Sequence, residues 1–83
     1  MPKVTYRQVR RLLTDLGFQE RPTKGSHFLY VHPTATSVRV VVPRDRDRDP
    51  VTPSVWLGIR RMLYETGIMA PEEAEDRVSA LAS

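Results

Sequence analysis

Residues 26–42, SHFLYVHPTATSVRVVV, decide the fold of this chain. Aromatic and β-branched residues dominate the first part, which predicts a strand over residues 26–32. A second strand is predicted over residues 37–42, where alternate valines share one face. Val41 points to the other face together with Arg39. Because a short loop separates the two strands, we expect them to pair antiparallel as a hairpin.

The residues before this hairpin predict another strand and a helix. The strand covers residues 18–23 and lies at a sheet edge, because Pro22 has no amide hydrogen to donate. Thr5 and Gln8 have the pattern of a capping box, which predicts a helix over residues 5–16. That helix has one apolar stripe at helical spacing, formed by Val9, Leu12, Leu13 and Leu16.

The residues after the hairpin predict a second long helix. It begins at Thr52, with Pro53 at the first helical position, where a missing amide hydrogen is tolerated. Gly67 is expected to end it, as Gly17 ends the first helix. A weaker pattern predicts a C-terminal helix from Pro71. The second helix is expected to bury one stripe, formed by Val55, Ile59, Met62 and Leu63.

The predicted elements follow the order α-β-β-β-α, with a C-terminal helix added. Three antiparallel strands with two helices on one face give an α+β fold, and this order is that of a double-stranded-RNA-binding domain. The chain has 83 residues, which is enough for one domain. We expect residues 1–68 to form the body of that domain and residues 69–83 to form a helical extension of it.

Composition excludes several classes of site and favours one class of partner. The chain has no cysteine, which rules out disulfides, thiolate zinc sites and thiol nucleophiles. The net charge of +3 comes from a basic body and an acidic tail, and it favours a polyanionic partner. No apolar run resembles a signal peptide or approaches the roughly 20 residues of a membrane span. We therefore expect a cytoplasmic protein without membrane contacts.

Several segments, taken in order, resemble the HicA family of toxins. Residues 4–18 are similar to the opening of that family, and residues 24–33, KGSHFLYVHP, are similar to its signature strand. Residues 41–44 resemble the end of its next strand, and residues 59–68 resemble its second helix. The resemblance covers roughly residues 2–68. It implies a dsRBD-like ribonuclease that cleaves single-stranded mRNA and is neutralised by a HicB-type antitoxin.

The resemblance assigns the catalytic role to His27, which has suitable chemistry. RNA carries its own nucleophile, the 2′-hydroxyl beside each phosphate, so a protein has to remove that proton and stabilise the charge on phosphorus. Imidazole has an ordinary pKa near 6.5 and supplies a neutral base at pH 7. The expected products are a 2′,3′-cyclic phosphate and a 5′-hydroxyl. No cofactor or metal is expected, because two histidines without clustered carboxylates make a poor metal site.

Residues near His27 are candidates for binding phosphate. Gly25 permits close approach of the backbone, Ser26 offers an amide and a hydroxyl, and Lys24 would offset phosphate charge. Arg7 and Arg44 are further candidates for contact with RNA. The ordinary alternatives are a turn glycine and solvated basic side chains. His32, in a turn before proline, is interpreted as structural.

The segment at residues 44–49 alternates arginine and aspartate. Its aspartates have the spacing of a calcium loop, but Pro50 occupies the glycine position and Trp56 the position of the bidentate glutamate. Because the charges alternate and cancel, we interpret the segment as a flexible, solvated turn. This loop and the tail after Met69 depart from the family pattern.

The residues alone leave two other functions open. One is a non-catalytic RNA-binding module of the same fold, in which His27 contacts RNA passively. The other is an interaction protein that binds a partner through its sheet or its tail. A three-stranded sheet has a second face, and Val41 lies on it, so either the C-terminal helix or a partner has to cover it. We expect an antitoxin that blocks His27 directly.

Overall fold

The computed structural model describes residues 4–34, 38–43, 46–73 and 76–77. Its elements are α1 (Tyr6–Asp15), β1 (Gln19–Pro22), β2 (His27–Val31), β3 (Arg39–Pro43), α2 (Pro53–Glu65) and a short 3-10 helix (Pro71–Glu73). This order confirms the predicted dsRBD-like α+β fold. Asp76 and Arg77 are helical, and the rest of the predicted C-terminal helix beyond the 3-10 turn lies outside the described residues. None of the helices in the described ranges has the length and apolarity needed to cross a bilayer.

The three strands form one antiparallel sheet in the order β1-β2-β3. β1 is an edge strand, which confirms the inference from Pro22. Tyr30 in the central strand lies opposite Glu20 and Val40, and His27 at the start of that strand lies opposite Pro43. Because side chains alternate along a strand, Tyr30 and His27 point to opposite faces of the sheet.

Both helices cover one face of the sheet, and the core lies between them and the strands. The largest side chains that are almost fully buried there are Tyr30, Leu12, Leu13, Leu63, Val9 and Val42. In α2 the buried stripe differs from the prediction: Trp56 is 8% exposed, whereas Met62 is 37% exposed. Trp56, Ile59 and Leu63 are aligned along the helix, and Met62 lies about 100° around it from Leu63.

The helix ends follow the predicted caps. The Thr5 hydroxyl accepts a hydrogen bond from the Gln8 amide (3.3 Å), and the Gln8 side chain accepts one from the Thr5 amide (2.9 Å). This reciprocal pair confirms the capping box. Gly17 and Gly67 have φ of +96° and +75°, the left-handed conformation that ends each helix. Thr52 is the N-cap of α2, although its side chain makes no capping hydrogen bond.

The charged loop is held against the start of α1 in its described part, residues 46–49. The carbonyl of Asp49 accepts a hydrogen bond from the Tyr6 amide (3.0 Å), and the carbonyl of Asp47 accepts one from the Arg7 amide (2.9 Å). The first amides of a helix have no partner within the helix, so carbonyls from a crossing loop satisfy them. Residues 47 and 48 form an exposed turn, which confirms that part of the interpretation, and the two hydrogen bonds attach this turn to α1.

Candidate active site

His27 is exposed at the first position of β2, on the sheet face that the helices leave open. Its carbonyl accepts a hydrogen bond from the Thr23 hydroxyl at 2.5 Å, which holds the chain as it enters the strand. Its Nδ1 lies 3.4 Å from the hydroxyl oxygen of Ser26. The backbone of His27 is thus held in place while the imidazole stays accessible to a ligand.

Lys24, Gly25 and Ser26 form the exposed turn that leads into His27. A Cβ added at Gly25 would meet nothing within 4 Å, so the space beside this backbone is open. An open turn gives a phosphate oxygen access to the backbone amides and to the Ser26 hydroxyl. Three of the predicted phosphate-binding residues therefore lie together with His27.

Of the two predicted arginines, Arg7 does not join this cluster. Arg7 lines a hollow of about 310 Å³ that it shares with Arg10, Glu20 and Tyr30, on the helix side of the sheet. His27 faces the other side, so an RNA phosphate at His27 would not be the one that Arg7 contacts. Arg44 lies outside the described residues. Contact of either arginine with RNA stays a prediction.

A groove of about 410 Å³, here called the β3–α2 groove, runs between the last strand and the second helix. His27 lies at the sheet side of the groove, with Pro43, its partner across the two strands. Val41 and Met62 contribute exposed apolar surface, at 56% and 37% exposure. Its other lining residues include Arg39, Ser54, Val55 and Gly58.

Among the residues that line the β3–α2 groove, Gly58 is unusual because it is a glycine in the interior of a helix. It lies inside α2, where glycine costs about 0.5–1 kcal/mol of helix stability relative to alanine. A Cβ added at Gly58 would meet nothing within 4 Å. Packing inside the described part of the chain therefore does not require a glycine here. The groove was not predicted from the sequence, although a glycine within a helical pattern is a signal of such a site.

The helix side of the sheet carries a polar cluster centred on Arg10. The Arg10 guanidinium lies 2.8 Å from a Glu20 oxygen and 2.9 Å from an Asp47 oxygen, and its Nε donates to the Tyr30 hydroxyl (3.1 Å). The same guanidinium lies 4.5 Å from the centre of the Phe28 ring. The cluster therefore ties α1 to β1, to β2 and to the loop at residues 46–49.

Tyr30 is 1% exposed within that cluster. Its hydroxyl donates to the same Glu20 oxygen at 2.6 Å. Burial and this hydrogen bond to Glu20 raise the pKa of Tyr30 to about 12. A tyrosine held in its neutral form between an arginine and a glutamate is suited to a structural role, linking β2 to α1 and β1, and not to acid–base chemistry at pH 7.

His32 has a different environment from His27. Its ring lies edge-on to Phe18, with ring centres 5.2 Å apart, and its Nδ1 lies 3.2 Å from the Thr34 hydroxyl. These contacts are consistent with the structural role expected for it. No group of three histidines or carboxylates suited to a metal ion occurs within the described ranges.

The sequence matches a known protein family. A family model described as the HicA toxin of bacterial toxin–antitoxin systems matches residues 6–52, which is more than half of the chain. The matched segment includes α1, all three strands and His27. No curated protein and no solved structure matches the chain significantly.

Proposed function

The chain belongs to the HicA family of toxins from bacterial toxin–antitoxin systems, and on that premise we propose that it is a metal-independent ribonuclease that cleaves single-stranded mRNA. His27 is the general base. One observation carries the proposal: an exposed imidazole lies beside an exposed turn, residues 24–26, and opens onto the β3–α2 groove. A base, a set of phosphate ligands and room for a nucleotide are thus adjacent.

In the proposed reaction, His27 removes the proton from a 2′-hydroxyl. The 2′-oxygen then attacks the neighbouring phosphorus as the bond to the 5′-oxygen breaks, and that leaving oxygen takes up a proton from the protonated His27 or from solvent water. The products are a 2′,3′-cyclic phosphate and a 5′-hydroxyl. A positioned base contributes about 10²–10⁴-fold to such a rate.

The turn at residues 24–26 holds the phosphate in this proposal. Backbone amides and the Ser26 hydroxyl donate to its non-bridging oxygens, and Lys24 offsets its charge. In other enzymes, removal of one preorganised donor of this kind costs about 2.7–4 kcal/mol of transition-state stabilisation. The open space beside Gly25 supports this role, because it admits a phosphate to the backbone.

The test compares three purified, folded proteins on a single-stranded RNA in the presence of EDTA: wild type, His27→Ala and His32→Ala. His32 is the other histidine of the sequence and serves as the matched control. We expect wild type and His32→Ala to produce cyclic-phosphate ends, and His27→Ala to lose at least 100-fold in rate. Equal rates for wild type and His27→Ala would refute the mechanism. RNA binding without cleavage by any variant would indicate the non-catalytic RNA-binding module instead.

Membership of this family implies an antitoxin partner. We propose that the partner is a HicB-type antitoxin in the cytoplasm and that it covers His27. Exposed apolar side chains on the open side, Val41 above all, support docking there. Binding of the antitoxin is then expected to compete with binding of RNA. A ternary complex with both bound at full affinity would contradict direct blocking of His27.

A further inference from the structure

We propose that the β3–α2 groove binds one nucleobase of the RNA, next to the phosphate that is cleaved. This inference rests on the proposed ribonuclease function, which supplies the position of that phosphate. It adds a subsite that would give the enzyme a preference for one base over the others. Three features of the groove carry it: its position and size, its lining, and Gly58 within that lining.

Position and size favour a nucleotide. His27 itself lines the groove, so a base attached to the ribose at His27 has the groove within reach. The volume of about 410 Å³ falls in the range of small-molecule pockets, about 300–1,000 Å³. A stable protein interface takes roughly 20–30 residues from each side, whereas ten of the described residues line this groove. A protein partner would therefore need much more of the surface.

The lining matches the chemistry of a base. Val41 and Met62 offer apolar surface against which a flat ring can stack. Arg39 and Ser54 offer donors that can reach the polar edge of the ring. Unstacked bases are recognised in this way, through stacking on aromatic or apolar side chains or on guanidinium planes, together with hydrogen bonds to base edges. None of the described residues lining the groove is acidic, which suits an anionic polymer.

Gly58 keeps the groove open at a cost to the helix. An alanine would stabilise α2, and the space for its methyl group is empty in the described structure. A glycine that internal packing does not require is explained by an occupant from outside the chain. A side chain at position 58 would stand in the groove between Val55 and Met62, where the proposed base lies.

The experiment titrates isotope-labelled protein with the four nucleoside 3′-monophosphates and, separately, with inorganic phosphate, followed by NMR. The proteins are wild type, Gly58→Ala and Gly58→Leu. Leu57→Ala is the matched control, because Leu57 is a neighbouring exposed residue of α2 that does not line the groove. Gly58→Ala guards against the possibility that the leucine variant fails to fold.

We expect nucleotides to shift the resonances of Val41, Gly58 and Met62, and at least one base to bind more tightly than the others. Inorganic phosphate should shift the turn at residues 24–26 and leave the groove unchanged. Gly58→Leu should weaken nucleotide binding at least tenfold, Gly58→Ala by a smaller factor, and Leu57→Ala not at all.

Unchanged nucleotide binding by Gly58→Leu would overturn the subsite, even if wild type cleaves RNA through His27. Loss of antitoxin binding alone in Gly58→Leu would also overturn it and would assign the groove to the protein partner. If nucleotides bind in the groove but His27→Ala still cleaves RNA normally, the subsite stands and the proposed mechanism fails.

Discussion

The central strand β2 connects two different environments, because its alternate side chains point to opposite faces of the sheet. Tyr30 faces the helices, where it is 1% exposed and hydrogen-bonded to Glu20. His27, three residues earlier, is exposed on the open face. A domain of this size buries only about 60–65% of the surface of its unfolded chain. The helix face therefore has to supply most of the stability, and the open face can be shaped for binding and chemistry.

Adjacent valines of β3 provide the strongest test of this contrast. Val42 is 0% exposed and Val41 is 56% exposed. Val42→Ala should lower the free energy of unfolding by about 1.5–3 kcal/mol, whereas Val41→Ala should change it by less than about 0.5 kcal/mol. Urea denaturation of both variants measures the difference. Similar losses in the two variants would mean that the open face also contributes to the core.

The raised pKa of Tyr30 predicts how the free energy of unfolding depends on pH in the alkaline range. Its pKa is about 12 in the folded protein, against an ordinary value of 10.0. The unfolded chain therefore loses the Tyr30 proton at a lower pH than the folded protein does. The contribution of Tyr30 to the free energy of unfolding is complete below pH 10 and is lost as pH rises through 12. The loss should amount to about 2 kcal/mol. Denaturation at pH 9 to 12 should show a steeper fall for wild type than for Tyr30→Phe; equal slopes would refute this.

Arg10 tests the polar cluster of the helix face. Arg10→Ala removes its contacts with Glu20, Asp47 and Tyr30 and should lower the free energy of unfolding by about 1–2 kcal/mol. The carboxylate partners are partly exposed, so the loss should shrink at high salt. Arg11→Ala, at an exposed neighbouring position of α1, is the control and should cost less than about 0.5 kcal/mol.

Substitution of Gly58 is expected to change stability less than the substitutions of Val42 and Arg10, and to raise it where they lower it. Gly58→Ala should raise the free energy of unfolding of the protein by about 0.5–1 kcal/mol, because alanine favours the helix. The same change should weaken nucleotide binding in the β3–α2 groove. Denaturation and titration of one protein sample measure both effects. A destabilised Gly58→Ala variant would mean that the glycine serves the fold after all.

Local signals predicted most of the fold. The capping box at Thr5 and Gln8, and the glycines after both helices, act within a few residues of each element that they delimit. Alternation along β3 likewise identified Val41 as the outward-facing valine. These features follow from backbone geometry over one turn or one strand, so they can be read without knowledge of the tertiary structure.

Features that depend on distant residues were missed. Asp47 lies 37 residues from Arg10 in the sequence. The alternating charges of the loop that contains Asp47 gave no indication that this loop contacts α1. The β3–α2 groove needs two elements whose relative position no local pattern specifies. Arg7 was grouped with His27 because both suit RNA, but the faces on which they lie follow from the packing of α1 against the sheet.

The most direct test of the division between the two faces measures RNA cleavage and the free energy of unfolding on the same preparation of His27→Ala. This division of roles predicts a loss of at least 100-fold in the cleavage rate, with a change in unfolding free energy of less than about 0.5 kcal/mol. Cleavage at the wild-type rate, or a loss of cleavage that only follows a loss of folded protein, would contradict it.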